Sequence, residues 1–180
     1  MKFATDLDMV LANSHLIWVA SLAERYGPFS LDHYKIEVKG FHWKKVAAFI
    51  NQSLLAHSEK IEPIQVSVNV LPKLMDFFKQ DFLLVISSRQ SHLYDCTKKW
   101  CEANLSVPFK LFLANGDSKL EIIKDNDITV FADDRIETIN EISPFVSTPF
   151  LIDRQWNRKQ NLAPNAIRVN NLQEALEYLK

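Results

Sequence analysis

From residue 82 onward, short apolar runs alternate with segments whose apolar residues recur at helical spacing. Each run has the length of a buried strand. This alternation is typical of a parallel sheet whose strands are connected by crossover helices. Strands are predicted at residues 82–86, 109–113, 128–132, 149–152 and 166–169, and helices at residues 91–104 and 118–124 and after Asn171, a capping residue.

The first half of the chain has a different pattern, with one short strand and otherwise helices. The strand is predicted at residues 2–5 and is followed at once by two acidic residues. The next helix begins after Asn13 or Ser14, either of which can cap it, and ends at Gly27. Two more helical patterns complete this region, at residues 43–57 and 69–79.

This helical region separates the first two predicted strands and contains no convincing strand pattern of its own. We therefore expect a small helical cap at residues 13–79. It would be inserted after the first strand of a doubly wound α/β core formed by residues 1–12 and 80–180. Residues 28–40 and 58–68 are the irregular connectors where hinge motion is expected.

Composition and charge narrow the class of protein. With 180 residues, of which 47% are hydrophobic and 24% charged, the chain has the balance of an ordinary globular domain. A formal net charge of −1 argues against binding to duplex nucleic acid. The strongest apolar run, residues 82–86, is too short to cross a membrane, and Asp6 and Asp8 lie where a signal peptide is apolar. The resulting expectation is a cytoplasmic protein.

Neither cysteine nor histidine indicates a metal site. Cys96 and Cys101 would point to different sides of their predicted helix, so they are interpreted as two buried thiols in a reducing compartment. The five histidines lack the spacing of metal ligands, which argues against zinc.

Polar side chains that can carry chemistry follow the predicted strands. Ligands of an open parallel sheet bind at the carboxyl ends of its strands, so the residues that end each apolar run are the candidates. They comprise two acidic pairs, a hydroxyl pair and the lysine that opens a helix: Asp6, Asp8, Asp133, Asp134, Ser87, Ser88 and Lys119. This edge would carry more polar chemistry than a folding scaffold needs.

The acidic cluster indicates a metal-dependent site for phosphoryl transfer. Neighbouring carboxylates repel one another unless a cation neutralises them, and ligands that are oxygen atoms only indicate Mg²⁺. With Lys119 and a hydroxyl group, the cation would form a positive cradle for a phosphate. Phosphoryl transfer needs this charge stabilisation and an in-line nucleophile, which an aspartate can supply.

The order of these motifs resembles the haloacid dehalogenase superfamily. The superfamily pattern is Asp-x-Asp after the first strand, Ser or Thr after the second, a Lys, and an acidic pair after the fourth. The corresponding segments here are Phe3-Ala4-Thr5-Asp6-Leu7-Asp8, Leu84-Val85-Ile86-Ser87, Lys119 and Val130-Phe131-Ala132-Asp133-Asp134. The resemblance implies a Rossmann-like core.

Within the superfamily, the chain looks like the 5'(3')-deoxyribonucleotidase-like branch of bacteria and phages. This resemblance covers nearly the whole chain and is looser in the insertion. It is carried by the helical insertion after the first motif and by the runs Ser87-Ser88-Arg89, Asp133-Asp134-Arg135 and Phe150-Leu151-Ile152-Asp153-Arg154-Gln155-Trp156-Asn157.

The resemblance implies a role for each motif residue. Asp6 would be the nucleophile, and Asp8 the general acid and base. Ser87 and Lys119 would hold the phosphoryl oxygens. Asp133 would bind Mg²⁺ together with Asp6 and the backbone carbonyl of Asp8.

Several neighbouring residues have two interpretations. Arg89 either touches the substrate phosphate or pairs with a core carboxylate. Asp134 either binds the metal through water or orients its loop. Asp153, Arg154 and Asn157 are interpreted as residues that hold the last loop near the site.

Two further features bear on rate and substrate. Met9 stands where the family usually has Gly, which indicates a differently shaped loop behind Asp8 and modest turnover. Phe41, His42, Trp43 and Trp18 either stack on a nucleobase or form the core of the cap, and the core interpretation is favoured.

The sequence therefore predicts a Mg²⁺-dependent phosphomonoester hydrolase that works through an aspartyl-phosphate intermediate. By analogy with the family, its substrate would be a nucleoside monophosphate. The alternative is a haloacid dehalogenase-like protein of weak or no activity that binds a phosphate ligand or has a regulatory role. Met9 is the observation that supports this alternative.

A phospho-accepting receiver domain gathers similar residues but in a different order, which argues against that class. The sequence leaves the pathway and the oligomeric state, monomer or dimer, open.

Overall fold

A computed structural model, which describes residues 1–27 and 43–180 and only the backbone of residue 43, contains a six-stranded parallel sheet. The strands are β1 (Phe3–Thr5), β2 (Leu83–Ser87), β3 (Phe109–Leu113), β4 (Val130–Asp133), β5 (Thr148–Ile152) and β6 (Ile167–Val169). Their order across the sheet is β3-β2-β1-β4-β5-β6, so β1 lies between β2 and β4. This order and the parallel pairing confirm the predicted doubly wound α/β core.

The helices of the described residues agree with most of the predicted helical patterns. They are α1 (His15–Tyr26), α2 (Trp43–His57), α3 (Gln65–Val68), α4 (Leu71–Phe78), α5 (Tyr94–Asn104), α6 (Leu120–Asp125), α7 (Ile136–Ile142) and α8 (Leu172–Leu179). Short 3-10 turns occur at Ser58–Lys60, Ser91–Leu93 and Gln155–Asn157. Helix α7 was not predicted, although its isoleucines recur every third residue and are buried.

Both faces of the sheet are apolar and covered by helices. On β2, Leu83 and Val85 belong to the larger core cluster, whereas Leu84 and Ile86 belong to a second cluster on the other face. Helices α4, α5 and α8 contribute to the larger cluster, and α6 and α7 contribute to the second. Burial on both faces explains why the strands read as continuous apolar runs rather than as alternating ones.

The region of the predicted cap contributes to two different cores. Leu22 of α1 and Val46 of α2 form a small cluster of their own. Helix α4 instead packs its apolar face into the main core, where the rings of Phe78 and Phe3 stack 5.5 Å apart. The division between cap and core at residue 80 stays a prediction, and the predicted connector at residues 28–40 lies outside the described residues.

The predicted helix cap is observed for α8, near the end of the chain, but the predicted cap by Ser14 is not observed for α1. The side chain of Asn171 accepts a hydrogen bond of 3.1 Å from the backbone N–H of Glu174, as predicted for α8. Ser14 lies at the cap position of α1, but its side chain makes no capping hydrogen bond.

The two cysteines have different surroundings. Cys101 is buried, and burial raises the pKa of its thiol to about 12. Cys96 is only partly buried, so the expectation of two buried thiols holds for one of them. Among the helices that the structure describes, none has the length and apolar character that crossing a membrane requires.

Candidate active site

The topology of the sheet brings the predicted chemistry to one edge. Asp6 directly follows β1, Ser87 ends β2 and Asp133 ends β4. These three strands are adjacent and parallel, so their carboxyl ends meet. The centre of this edge therefore holds acids from two neighbouring loops.

The loop that follows β1 is tightly folded by its own backbone. The carbonyl of Leu7 accepts hydrogen bonds of 2.9 Å from the N–H groups of both Leu11 and Ala12. The N–H of Met9 donates to the carbonyl of Ala12 over 2.8 Å. Met9 is buried and has a φ of 60°, in the left-handed region that favours glycine. The loop thus has a backbone conformation that a glycine at this position could also adopt.

Lys119 joins the acids of two loops. Its Nζ donates hydrogen bonds to Oδ1 of Asp6 over 2.6 Å and to Oδ2 of Asp133 over 2.7 Å. The lysine lies at the start of α6, and its side chain is only 1% exposed. Although burial alone would lower the pKa of Lys119, the two carboxylates raise it, so its ammonium group stays charged.

Three carboxylates lie together beside this lysine. Asp6, Asp133 and Asp134 are buried, and one oxygen atom from each lies within 4.8 Å of the others. Burial raises the pKa of Asp6 to about 7, with Asp133 and Asp8 adding to the shift and Lys119 opposing it. Burial, together with Asp133 and Asp6, also raises the pKa of Asp134 well above its usual value. Full ionisation of all three carboxyl groups beside one lysine would therefore leave the cluster with excess negative charge.

The donor set of this cluster fits a hard divalent cation. All three groups are carboxylates, and neither sulfur nor imidazole is among them, which favours Mg²⁺ over zinc. A cation would also offset the repulsion between the acids, which adds to the effect of burial in raising the pKa of Asp6 and of Asp134. Asp6, Asp133 and Asp134 are the side chains that would hold it. Asp8 was expected to offer only its backbone carbonyl, and that role stays a prediction.

The carboxylate of Asp8 is paired with Arg89. The Arg89 Nη2 donates to Oδ1 of Asp8 over 2.7 Å, and its Nε donates to Oδ2 over 3.0 Å. The remaining Nη1 donates to Oγ1 of Thr97 on α5. Burial alone would raise the pKa of Asp8, but Arg89 outweighs it and lowers the pKa. Of the two interpretations of Arg89, the structure shows the pairing with a carboxylate.

The two serines after β2 differ in their contacts. The Ser87 hydroxyl donates to Oδ2 of Asp8 over 3.3 Å and accepts the backbone N–H of Arg89 over 3.2 Å. The Oγ of Ser88 is buried and has no hydrogen-bond partner among the residues that the structure describes. Ser87 therefore lies beside Asp8, and its contact with a phosphoryl oxygen stays a prediction.

The turn after β5 reaches both acidic loops. Arg154 donates two hydrogen bonds to the backbone carbonyl of Met9. The indole of Trp156 donates to Oδ2 of Asp134 over 3.0 Å, and Asn157 donates to the carbonyl of Asp134 over 2.8 Å. The sequence indicated that Arg154 and Asn157 hold this turn near the site but gave Trp156 no role. Its buried indole N–H, which needs an acceptor, is the signal that points to it.

The aromatic residues that are candidates for base binding lie only partly within the described residues. Trp18 of α1 lies edge-on to His15, with the ring centroids 6.1 Å apart, and His15 in turn lies edge-on to Trp156. Trp18 also packs against the apolar clusters. The other three members of the group, Phe41, His42 and the side chain of Trp43, lie outside the described residues.

Two curated proteins are similar to this chain over part of their length. "Putative nucleotidase BH1399" of Halalkalibacterium halodurans is 29% identical over 122 residues, which are 66% of this chain and 62% of the relative. "Putative nucleotidase YqfW" of Bacillus subtilis is 26% identical over 106 residues, 58% of this chain and 55% of the relative. The chain thus matches about three fifths of the length of these relatives. No protein-family model matches it.

Solved structures match the fold over nearly all of this chain. A structure described as a putative beta-phosphoglucomutase from Thermotoga maritima has a TM-score of 0.61 at 13% identity and covers 99% of this chain and 98% of its own. CbbY from Rhodobacter sphaeroides, in complex with phosphate, has a TM-score of 0.62 at 10% identity and covers 96% and 95%. At these identities the solved structures show a shared fold, which agrees with the fold that the resemblance to the haloacid dehalogenase superfamily implies.

Proposed function

On the premise of a haloacid dehalogenase-like fold, we propose that this protein is a Mg²⁺-dependent phosphomonoester hydrolase. Asp6 is the proposed nucleophile, and the substrate is a nucleoside monophosphate. The proposal places the enzyme in the cytoplasm, with a small phosphomonoester rather than a nucleic acid duplex or a membrane as its partner. The oligomeric state is open between monomer and dimer.

The observation that supports this function most is the Lys119 bridge between Asp6 and Asp133. It combines a fixed cation, a carboxylate at the end of the central strand and a second acidic loop, all buried. A folded core gains little from burying so many charges, because each must leave water. Such a site can stabilise the charge of a phosphoryl group, and this function would explain why the charges are buried together.

Each residue of the site has a distinct part in the proposed reaction. The Asp6 carboxylate attacks phosphorus, and the ester oxygen leaves with a proton from Asp8, which must first take up that proton although Arg89 lowers its pKa. Water then attacks the aspartyl-phosphate after giving a proton to Asp8, which releases phosphate and restores Asp6. Lys119 offsets the charge on the phosphoryl oxygens, and the hydroxyl of Ser87, which lies beside Asp8, is proposed to orient one of them. Bound Mg²⁺ supplies further charge neutralisation.

The nucleotide substrate is supported by the names of the similar proteins. Both curated relatives are named as nucleotidases, although the chain matches only part of each. In this superfamily the core determines the chemistry and the cap selects the molecule, so the substrate is the least constrained part of the proposal.

The alternative, a protein of weak or no catalysis, depends on Met9. The expected consequence of Met9 was a loop shaped differently from one with glycine. Its φ of 60° is one that glycine readily adopts, so the loop has not rearranged to avoid the left-handed region. The described structure therefore adds no support to this alternative.

A screen of phosphomonoesters with Mg²⁺, scored by released phosphate, tests the proposed function. We expect hydrolysis of an aryl phosphate and faster hydrolysis of at least one nucleoside monophosphate. Activity should vanish in EDTA and return with Mg²⁺. Full activity in metal-free buffer would contradict the mechanism.

Two lysines of the α6 region, Lys119 at the N-cap and Lys124 in the last turn, make the screen specific for the site. Lys119→Met should lower kcat/KM by about a hundredfold or more, because a buried charge facing the phosphoryl oxygens is lost. Lys124→Met is the matched control, since Lys124 is exposed and pairs only with Glu121 among the ion pairs described here. Equal activity of both variants would show that Lys119 is not the phosphate-binding lysine.

A further inference from the structure

The turn after β5 contacts both acidic loops, although β5 pairs with β4 and not with β1. We call residues 154–157 the brace; they comprise Arg154 and the turn Gln155–Asn157. In the sheet, β4 lies between β5 and β1, so the brace is next to the β4 loop and one strand further from the β1 loop. A long side chain is needed to reach the β1 loop, and Arg154 supplies it.

Arg154 donates two hydrogen bonds to a single backbone oxygen of the loop that follows β1. Its Nε and Nη2 both donate to the carbonyl oxygen of Met9, over 3.1 Å and 2.5 Å. Its Nη1 donates to the carbonyl of Asp153 over 2.7 Å, within its own turn. The guanidinium therefore ties the backbone of the loop after β1 to the backbone at the end of β5.

Arg154 bonds to the carbonyl of Met9, the residue of the loop whose backbone conformation is unfavourable for a side chain. Met9 has a φ of 60°, where the Cβ of an L residue crowds the backbone. A methionine released from this conformation would move toward negative φ and carry the neighbouring Asp8 with it. Two charge-assisted hydrogen bonds to its carbonyl oppose that movement.

The other end of the brace holds the acidic pair after β4. Trp156 donates to the carboxylate of Asp134, and Asn157 donates to the backbone carbonyl of the same residue. Asn157 also donates to the carbonyl of Ile152, at the end of β5. One short turn thus contacts both loops that supply acids to the site.

We propose that Arg154 is a positioning residue, which holds Met9 in its left-handed conformation and so sets Asp8 in place relative to Asp133 and Asp134. This inference rests on the proposed hydrolase function. Arg154 acts through the loop backbone and needs no contact with the substrate.

Turnover of an aryl phosphate with Mg²⁺ gives the first test. Arg154→Leu should lower kcat by about tenfold to a hundredfold with little change in KM, because Asp8 is misplaced while phosphate binding remains. Arg154→Lys, which can still donate to the Met9 carbonyl, should recover part of the loss. Arg158→Leu is the matched control, since Arg158 is largely exposed and pairs with Asp153. It should keep the wild-type kcat.

The substitution Met9→Gly then shows whether Arg154 acts through Met9. Glycine adopts the left-handed conformation without a Cβ clash, so the loop should stay in place without the arginine. Arg154→Leu should therefore cost clearly less kcat when it is combined with Met9→Gly than when it is made alone. An equal loss in the two backgrounds would overturn the proposal.

A readout that needs no turnover separates this inference from the proposed function. The chain has only three methionines, Met1, Met9 and Met75, so ¹³C labelling of methionine Cα atoms gives few signals. The Met9 signal, whose shift depends on φ, should move in Arg154→Leu and stay in Arg158→Leu. If wild type hydrolyses no phosphomonoester, the proposed function fails, and these signals still decide the role of Arg154. An unchanged Met9 signal in Arg154→Leu would overturn it.

Discussion

Asp6 carries its charge at a cost to the folded protein. Burial and the neighbouring acids raise its pKa to about 7, from an ordinary value of 3.8. A carboxyl group with a raised pKa binds its proton more tightly in the folded state. The stability that this proton contributes is present below the unfolded pKa and is lost as pH rises through the folded pKa.

This shift predicts how stability depends on pH in metal-free protein. The free energy of unfolding, measured by urea denaturation in EDTA, should fall between pH 5 and pH 8 more steeply for wild type than for Asp6→Asn. Added Mg²⁺ should reduce the fall, since a bound cation stabilises the charged carboxylates. His15, whose pKa burial lowers, acts in the opposite direction in both proteins and cancels in the comparison.

An exposed acid provides the control for this measurement. Asp117→Asn removes a surface carboxylate and should leave the pH profile as it is in wild type. If wild type and Asp6→Asn lost stability in parallel from pH 5 to pH 8, Asp6 would not have the raised pKa assigned to it.

At the residue scale, the sequence identifies the acids but not their partners. Asp6, Asp133 and Lys119 are recognisable because each follows or opens an element of the right kind. The pairing of Arg89 with Asp8 and the contact of Arg154 with Met9 join residues 81 and 145 positions apart. Such contacts depend on how distant loops meet in three dimensions, so no local pattern predicts them.

At the scale of elements, the cap of α8 is a local feature that the sequence predicts well. Asn171 accepts the N–H of Glu174, one of the first N–H groups of the helix, which have no acceptor within the helix. The buried Leu172, Ala175 and Leu176 of this helix pack in the main core, so its first turn is joined to the rest of the fold.

Loss of this cap should destabilise the protein without affecting the site. Asn171→Ala should lower the free energy of unfolding by about 1 kcal/mol, measured by urea denaturation, with unchanged turnover. Gln173→Ala, which removes a contact with Glu177 on the same helix, should have a clearly smaller effect. Equal losses for the two variants would mean that the cap contributes nothing specific.

Helices show where sequence patterns stop being informative. Helix α2 has 15 residues and was predicted with its bounds, because a long amphipathic pattern is distinctive. Helix α7 has only seven residues and follows directly after the acidic pair, so its three buried isoleucines were too few to indicate a helix. Tertiary packing against β4 and β5, rather than length, stabilises such a short helix.

At the scale of the whole molecule, the sheet order places β1 between two strands that carry site residues. With β2 on one side and β4 on the other, the loop after β1 meets Ser87 through Asp8 and the acidic pair through Asp6, without any long excursion of the chain. The alternation of strands and helices predicts the parallel sheet, and the order of the motifs indicates the family that its core resembles. The packing of α4 into the main core was not evident, because its apolar face fits a cap as well as a core.

The central claim is that Asp6 becomes phosphorylated during turnover. Asp8→Asn should still permit attack by Asp6 but should lack the base that activates water for hydrolysis of the aspartyl-phosphate. The asparagine keeps one oxygen that can accept a hydrogen bond from Arg89, which limits the cost of leaving that buried cation without its carboxylate.

Intact-protein mass spectrometry of Asp8→Asn tests this claim most directly, with Mg²⁺ and an aryl phosphate whose leaving group departs without a proton. The account predicts a mass increase of one phosphoryl group, which hydroxylamine removes. The double variant with Asp6→Asn should show no increase. A hydroxylamine-sensitive adduct in that double variant, or no adduct in Asp8→Asn while wild type hydrolyses the same substrate, would contradict Asp6 as the nucleophile.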